Sequence, residues 1–152
     1  MYQQVNQFYT LYQKGAAGLA RLHSAVALAA RLYIAQVFFS AGLTKIQDWD
    51  TTLFLFEEEY HVPFLSFELA AYLATIGELL LPALLFVGLL TRFSALGLSV
   101  VNVVAVISLI EIAPAALYLH VVWGLLLAQV AIYGGGFLSL DRPLKNYFRN
   151  QM

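Results

Sequence analysis

The stretch FSALGLSVVNVVAVISLI, residues 93–110, runs for 18 residues without a charged side chain. A helix that crosses a bilayer needs about 20 mostly apolar residues, so this run reads as a membrane span. Glu111 and Pro114 close it on one side, and Thr91 and Arg92 separate it from another apolar run on the other. That preceding run covers residues 65–90, with Glu68 near its start and Glu78 near its middle. A further span is predicted over residues 25–45, with Arg31 as its only internal charge and Lys45 at its end. The last covers residues 115–133 and meets Gly134-Gly135-Gly136, residues that end a helix because glycine takes a positive φ without steric cost. The fold expected is an all-α integral membrane protein, a four-helix transmembrane domain over residues 25–133.

Composition agrees. Of 152 residues, 61% are hydrophobic and only 11% are Asp, Glu, Lys or Arg, whereas a soluble domain carries about a quarter. The mean hydropathy is +0.76. A net charge of −1 offers no electrostatic footprint for nucleic acid. The absence of cysteine excludes disulfides, thiolate nucleophiles, thiolate metal sites and thioether-linked haem.

Charge placement sets an orientation. Lys14 and Arg21 precede the first span, Arg92 follows the second, and Arg142, Lys145 and Arg149 follow the fourth. These segments share one side. Asp48, Asp50, Glu57, Glu58, Glu59 and Glu111 occupy the other. By the positive-inside rule the basic side is cytoplasmic, which places both termini there, in a bacterial inner membrane. Arg31 interrupts the first apolar run, and no small-x-small site ends it, so the first span is expected to be retained rather than cleaved as a signal peptide.

Two flanking segments remain. Over residues 1–24, Val5, Phe8, Tyr9 and Tyr12 fall at i, i+3, i+4 and i+7, one face of a helix. This is either an amphipathic segment on the cytoplasmic interface or a disordered tail. Residues 134–152 form a cytoplasmic tail. Between the first two spans, Asp50 or Thr51 is expected to cap a short interfacial or re-entrant helix that holds Leu53, Phe54 and Phe56 and stops before Pro63. Trp49 and Tyr60 suit the membrane–water boundary. Glu57, Glu58 and Glu59 read as a solvated face; with His61 they attract a cation poorly, since consecutive carboxylates cannot all face one ion on a helix. No metal site is expected.

Polar residues inside the spans carry the functional information, because a central Arg costs about 2.5–3.5 kcal/mol to insert. Arg31, Ala35, Phe38, Gly42 and Lys45 form one stripe on the first span, and Glu68, Ala71, Thr75, Glu78, Pro82 and Leu85 one on the second. With the helices antiparallel, Lys45 is expected near the level of Glu68, and Arg31 is expected to reach Glu78. Such a pair either ties two helices together or lines a pocket for an anionic or carbonyl-bearing ligand. Pro82 removes the amide partner of the Glu78 carbonyl and predicts a kink. Asn102, flanked by Ser99 and Ser108, suits interhelical hydrogen bonding worth about 1 kcal/mol. His120 and Trp123 lie one turn apart on the fourth span, beside Gly124. The candidate ligand-binding set is therefore Arg31, Lys45, Glu78, Asn102, His120 and Trp123. No catalytic residue is assigned.

Several motifs together resemble the DoxX family. They are Phe38-Phe39-Ser40-Ala41-Gly42-Leu43-Thr44-Lys45; His61-Val62-Pro63 with Gly77-Glu78; Val87-Gly88-Leu89-Leu90-Thr91-Arg92; and Gly134 to Phe137 followed by Ser139-Leu140-Asp141-Arg142. The resemblance covers residues 31–142, with Pro82 standing where the family suggests a small residue. It implies a four-helix inner-membrane protein. Some relatives are subunits of thiosulfate:quinone oxidoreductase, and others accompany membrane oxidoreductase, peptide-modifying or metal-handling systems. On that basis the chain is expected to be an oxidoreductase-linked membrane subunit that binds quinone or a similar small lipophile, with no covalent cofactor. Its partners are the bilayer and either another subunit or further copies of itself. The alternatives are a non-catalytic membrane anchor or assembly factor and a small-solute transporter, the latter disfavoured because no inverted repeat or broken helix pair stands out. The orientation has a direct test. A reporter fused after Met152 is expected to be active only if of a cytoplasmic type, and one inserted near Thr52 to behave as periplasmic; the reverse pattern overturns the assignment.

Overall fold

The computed structural model of the chain describes residues 2–136 and 138–151. Phe137, part of the glycine-rich motif, and Met152 lie outside the described residues. Among the described residues the helices are α1 (Tyr2–Gln47), α2 (Trp49–Glu58), α3 (Phe67–Val87), α4 (Thr91–Ser108), α5 (Pro114–Tyr133) and α6 (Asp141–Arg149). Helices α1, α3, α4 and α5 are long and apolar enough to cross a membrane. The protein is an all-α membrane bundle. α1 packs on α3, α3 on α4, α4 on α5 and α5 on α1, which closes a four-membered ring.

α1 differs most from expectation. The amphipathic segment and the first span are one uninterrupted helix of 46 residues, about 69 Å at 1.5 Å per residue. It contains no proline, and Gly15 and Gly18 do not break it. Among its described side chains Ser24 is the first that is buried, and Ala27, Ala30, Arg31, Ile34, Ala35 and Phe38 follow on the bundle side.

α2 follows α1 after Asp48 alone. Its cap is Asp48 rather than Asp50 or Thr51: the carboxylate accepts from the Thr51 amide at 3.0 Å and the Thr51 hydroxyl at 2.7 Å. These bonds hold the Asp48 carboxyl below the usual carboxylate range. The immediate restart of the helix after α1 puts Asp48 at the cap position instead. Phe56 buries itself against Ala70 and Ala71 of α3, and Trp49 stacks on Tyr72 with ring centroids 4.7 Å apart. α2 thus lies against the end of α3 that carries the acidic residues.

The core occupies the half of the ring nearer the basic end. Ala30, Ile34 and Phe38 of α1 meet Leu85 of α3, Ala95 and Leu98 of α4, and Leu127 and Val130 of α5. α3 runs through Pro82 to Val87 and stops at Gly88, whose φ of 73° is left-handed. A side chain there is barred twice over, because a Cβ on Gly88 would sit 2.4 Å from Arg31 Nη2.

Arg31 explains that crowding, and it corrects the expected pairing with Glu78. The guanidinium, 1% exposed, donates from Nε to Leu85 O and from Nη2 to Phe86 O, each at 3.0 Å. Nη1 donates to Gly135 O and Leu138 O, also at 3.0 Å. The orphan carbonyls at the C-terminus of α3 and the polypeptide after α5 are thereby satisfied by one side chain. Arg31 lies 14 residues from Lys45, about 21 Å along α1, which puts it level with the end of α3 rather than its middle.

Asp141 complements it. Its carboxylate accepts from Leu90 N at 2.7 Å and Thr91 N at 2.9 Å, so a residue 50 positions away caps α4. The Asp141 amide donates to Gly88 O at 2.9 Å, and Arg92 donates to Ile132 O on the last turn of α5 at 3.1 Å. An acid at a helix N-terminus and bases at helix C-termini each complement the backbone dipole. Replacing Arg31 by Met is expected to cost about 3–5 kcal/mol, the scale for breaking a buried charged network, read as a fall in thermal midpoint in detergent. Arg31→Lys should recover little of it, since an ammonium lacks the planar fork. A wild-type midpoint in Arg31→Met would refute this role.

Candidate functional site

The other half of the bundle is incompletely filled. Between α3 and α4 lies a cavity of about 490 Å³. Its α3 wall is Ala70, Leu73 and Ala74, and its α4 wall Val100, Val104, Ala105 and Ile107. Alanines at contact positions leave the space that larger side chains would fill. The roof is the loop between α2 and α3, with Tyr60, Val62, Pro63, Phe64 and Leu65. The loop is fastened to the end of α4 by a bridge between Tyr60 and Leu109 and by His61 N donating to Ser108 O at 2.8 Å. Burial, together with Glu78 and Glu59 nearby, pushes the Tyr60 phenol above its usual range. Phe64 has a φ of 66° and is fully exposed, a backbone state costly for an aromatic residue.

One ion pair lies in this apolar chamber. Lys45 Nζ donates to Glu78 Oε2 at 2.6 Å, with side-chain exposures of 21% and 10%. Close packing of α1 on α3 sets it up: a Cβ on Gly42 would stand 2.9 Å from Leu79 and 3.1 Å from the Glu78 carbonyl carbon. Gly42 sits one turn before Lys45, so its missing side chain lets the ammonium reach the carboxylate. Thr52 of α2 donates to Lys45 O at 3.0 Å and holds the end of α1 in register. Glu68, expected near Lys45, is exposed one layer further out. The axial offset between α1 and α3 differs from the expected one because periodicity defines a face and not a height.

Asn102, His120 and Trp123 come together elsewhere, between α4, α5 and α1. Asn102 Nδ2 donates to His120 O at 2.9 Å, which turns its Oδ1 toward His120 Nδ1 at 2.8 Å. An acceptor there places the ring proton on Nδ1 and leaves Nε2 as the lone pair of the neutral ring, an assignment made from the hydrogen bonds. Trp123 packs edge-on against His120 at 4.8 Å and against Phe38 at 5.9 Å. Its indole donates to Tyr33 Oη at 3.2 Å.

The six sequence candidates therefore divide into three places. Lys45 and Glu78 line the cavity, Asn102, His120 and Trp123 form a separate polar cluster, and Arg31 is surrounded by carbonyls. Tyr60 and Phe64, lining the cavity, and Tyr33, bonded to Trp123, were not singled out as site residues. Tyr60 carried only a boundary signal, and Tyr33 lies off the Arg31–Lys45 stripe. Glu57, Glu58, Glu59 and His61 are exposed. Among the described residues no group of three or more His, Asp or Glu is placed to hold a metal ion.

A ring of four apolar helices, with a buried ion pair facing a chamber between two of them, defines a polytopic all-α membrane protein. The sequence model of the DoxX family matches residues 26–111, the segment from within α1 to just past α4, and the chain belongs to that family. An uncharacterized protein of Haemophilus influenzae is 30% identical over 127 residues, 78% of this chain and 82% of that one. No solved structure matches.

The ion pair makes a defined energetic prediction. Breaking a fully buried pair costs about 3–5 kcal/mol, and Lys45→Met should cost less because its side chain keeps 21% exposure. Glu78→Leu added to Lys45→Met should restore most of the loss, with a coupling above about 0.5 kcal/mol. Arg31→Met combined with Glu78→Leu should be additive. Coupling of Glu78 to Arg31 instead of Lys45, in thermal unfolding of the three single and two double variants, would overturn the assignment.

Proposed function

We propose that this DoxX-family protein binds a quinone or a similar small lipophile in the chamber beside Lys45 and Glu78, as the membrane subunit of an oxidoreductase-linked system. The observation that carries this reading is an apolar cavity of about 490 Å³ with a single ammonium–carboxylate pair against it. That volume suits a small-molecule ligand, and few, convergent polar groups fix its orientation. A quinone would supply carbonyl oxygens and the capacity to take up electrons with protons.

The protein's part is positioning. Lys45 Nζ has three protons and gives one to Glu78, so two remain for a carbonyl oxygen. Glu78, held by that ammonium, is the group able to accept or return a proton at the ligand. The α3 and α4 walls are apolar, and Tyr60 and Phe64 stand at the roof. Four of the five N–H groups of Arg31 are directed at carbonyls, and His120 faces Asn102. The ligand site proposed therefore narrows to Lys45 and Glu78, and the Asn102–His120–Trp123 cluster is a separate one. The chamber lies at the acidic end, which charge placement assigns to the periplasmic side of an inner membrane, with both termini cytoplasmic.

A role as non-catalytic anchor for a partner subunit is the second reading. It is favoured by α6, where Leu144, Tyr147 and Phe148 are exposed beside Lys145 and Arg149. Binding separates the two. Titration of the protein in nanodiscs with short-chain ubiquinone and menaquinone analogues is expected to saturate. The Lys45→Met, Glu78→Leu double variant should weaken that binding at least tenfold although most of its stability is restored. Partitioning that never saturates, or equal binding by the variant, would leave the anchor reading.

A further inference from the structure

Among the described helices α6 alone has no buried residue, and from Arg142 to Arg149 every side chain is exposed. Its residues nevertheless sort into two arcs. Leu140, in helical backbone just before α6, and then Pro143, Leu144, Tyr147 and Phe148 fall at i, i+3, i+4, i+7 and i+8, the apolar stripe of a surface helix. Asp141, Arg142, Lys145, Asn146 and Arg149 take the opposite arc, with no apolar residue among them. At 3.6 residues per turn each set spans about 140°. Leu140, Leu144, Tyr147 and Phe148 are between 41% and 60% exposed. A helix this short is marginal alone in water, so the stripe calls for a surface.

The bundle fixes where this helix starts. The Asp141 amide donates to Gly88 O just past the end of α3, and its carboxylate caps α4 at Leu90 and Thr91. Arg31 holds the preceding turn through Gly135 O and Leu138 O. The ends of membrane-spanning helices lie at the level of the lipid headgroups, so α6 begins at that level. Asp141 stands at the edge of the polar arc, next to Phe148 on the helical wheel. Its bonds therefore put the bundle on one flank of α6 and leave the apolar arc a quarter turn away, uncovered.

We infer that α6 lies along the membrane surface at the basic end of the bundle, its apolar stripe set into the lipid and its basic arc at the phosphates of anionic headgroups. Size argues for lipid over a protein. α6 is about 14 Å long and its stripe about 10 Å wide, far below the roughly 800 Å² that each partner gives to a stable protein interface. Proximity argues the same way, because the bundle already holds α6 beside the bilayer and docking is intramolecular. Charge names the lipid class. The polar arc carries Arg142, Lys145 and Arg149 against a single acid, Asp141, whose carboxylate is engaged by α4. Long basic side chains reach back from such an arc to phosphate, and an aromatic such as Tyr147 suits the boundary. This inference is independent of what fills the chamber. A partner subunit on the same stripe, the anchor reading, is one outcome of its test.

The chain has no cysteine, so one introduced thiol can carry an environment-sensitive fluorophore. The full-length Leu144→Cys, Tyr147→Cys and Asn146→Cys variants are labelled in nanodiscs of phosphatidylcholine, with and without phosphatidylglycerol. All three positions are exposed, and an unchanged thermal midpoint checks that the bundle is intact. With phosphatidylglycerol, the probes at 144 and 147 should be quenched by a nitroxide on the lipid headgroup region. Iodide in the water should quench them at least about fivefold less than the probe at 146. Removing phosphatidylglycerol, or adding Lys145→Gln with Arg149→Gln, should return the probe at 147 toward water. Equal iodide quenching on both arcs in the anionic discs would overturn the proposal. Shielding from iodide without quenching from the lipid would also overturn it, since a protein surface then covers the stripe. So would a stripe that reacts with a membrane-impermeant maleimide in the anionic nanodiscs but is shielded in native membranes, the mark of a partner subunit. Lipid contact indifferent to phosphatidylglycerol and to both bases would overturn the anionic preference.

Discussion

A guanidinium whose hydrogen bonds go to main-chain carbonyls holds one end of this bundle together. Arg31 is buried in the half of the structure where no water competes, and its protons go to main-chain carbonyls of Leu85, Phe86, Gly135 and Leu138. Those oxygens belong to the end of α3 and to the turn that leaves α5. Unsatisfied groups there would be costly in a low-dielectric interior. The cation answers them and, by facing a helix C-terminus, is itself stabilised by the backbone dipole. Asp141 does the converse at the start of α4. Three motifs far apart in the chain thus become one structural knot, with Gly88 kept free of a side chain so that Arg31 fits.

That knot has a consequence at the far end. With the basic half closed by Arg31, Asp141 and the core around Leu85, Leu98 and Leu127, the ring is solid there and open beyond it. Alanines at positions 70, 74 and 105 and the loop roof create the chamber. Gly42 draws α1 against α3 in the same region, so the Lys45–Glu78 pair stands where the packing gives way. Close packing and open space are divided along the length of the bundle, with a cation in each half.

The polar residues of the spans are thus three devices rather than one pocket. Arg31 caps, Lys45 and Glu78 face a cavity, and Asn102 with His120 joins α4 to α5. Asn102 uses both ends of its amide on one residue, main-chain oxygen and ring nitrogen, which fixes the His120 ring and seats Trp123 beside it. Gln36 belongs to none of these and faces outward.

The sequence alone determined the four spans, because charge-free runs such as residues 93–110 have only one solvent that suits them. It also determined which residues are out of place in lipid, the short helix between the first two spans, and the family. It did not determine height. Stripes at three- and four-residue spacing show that Arg31 and Lys45 share a face, yet they are silent on how far α1 slides along α3. The offset is set by Gly42 packing on Leu79, by the restart of the chain as α2 at Asp48, and by carbonyls at the end of α3 that no side-chain pattern reveals. Only tertiary structure could decide that Lys45, and not Arg31, meets Glu78. The same holds for Asp141 as a cap, since its partners lie 50 residues away and are backbone amides, which carry no letter in a sequence.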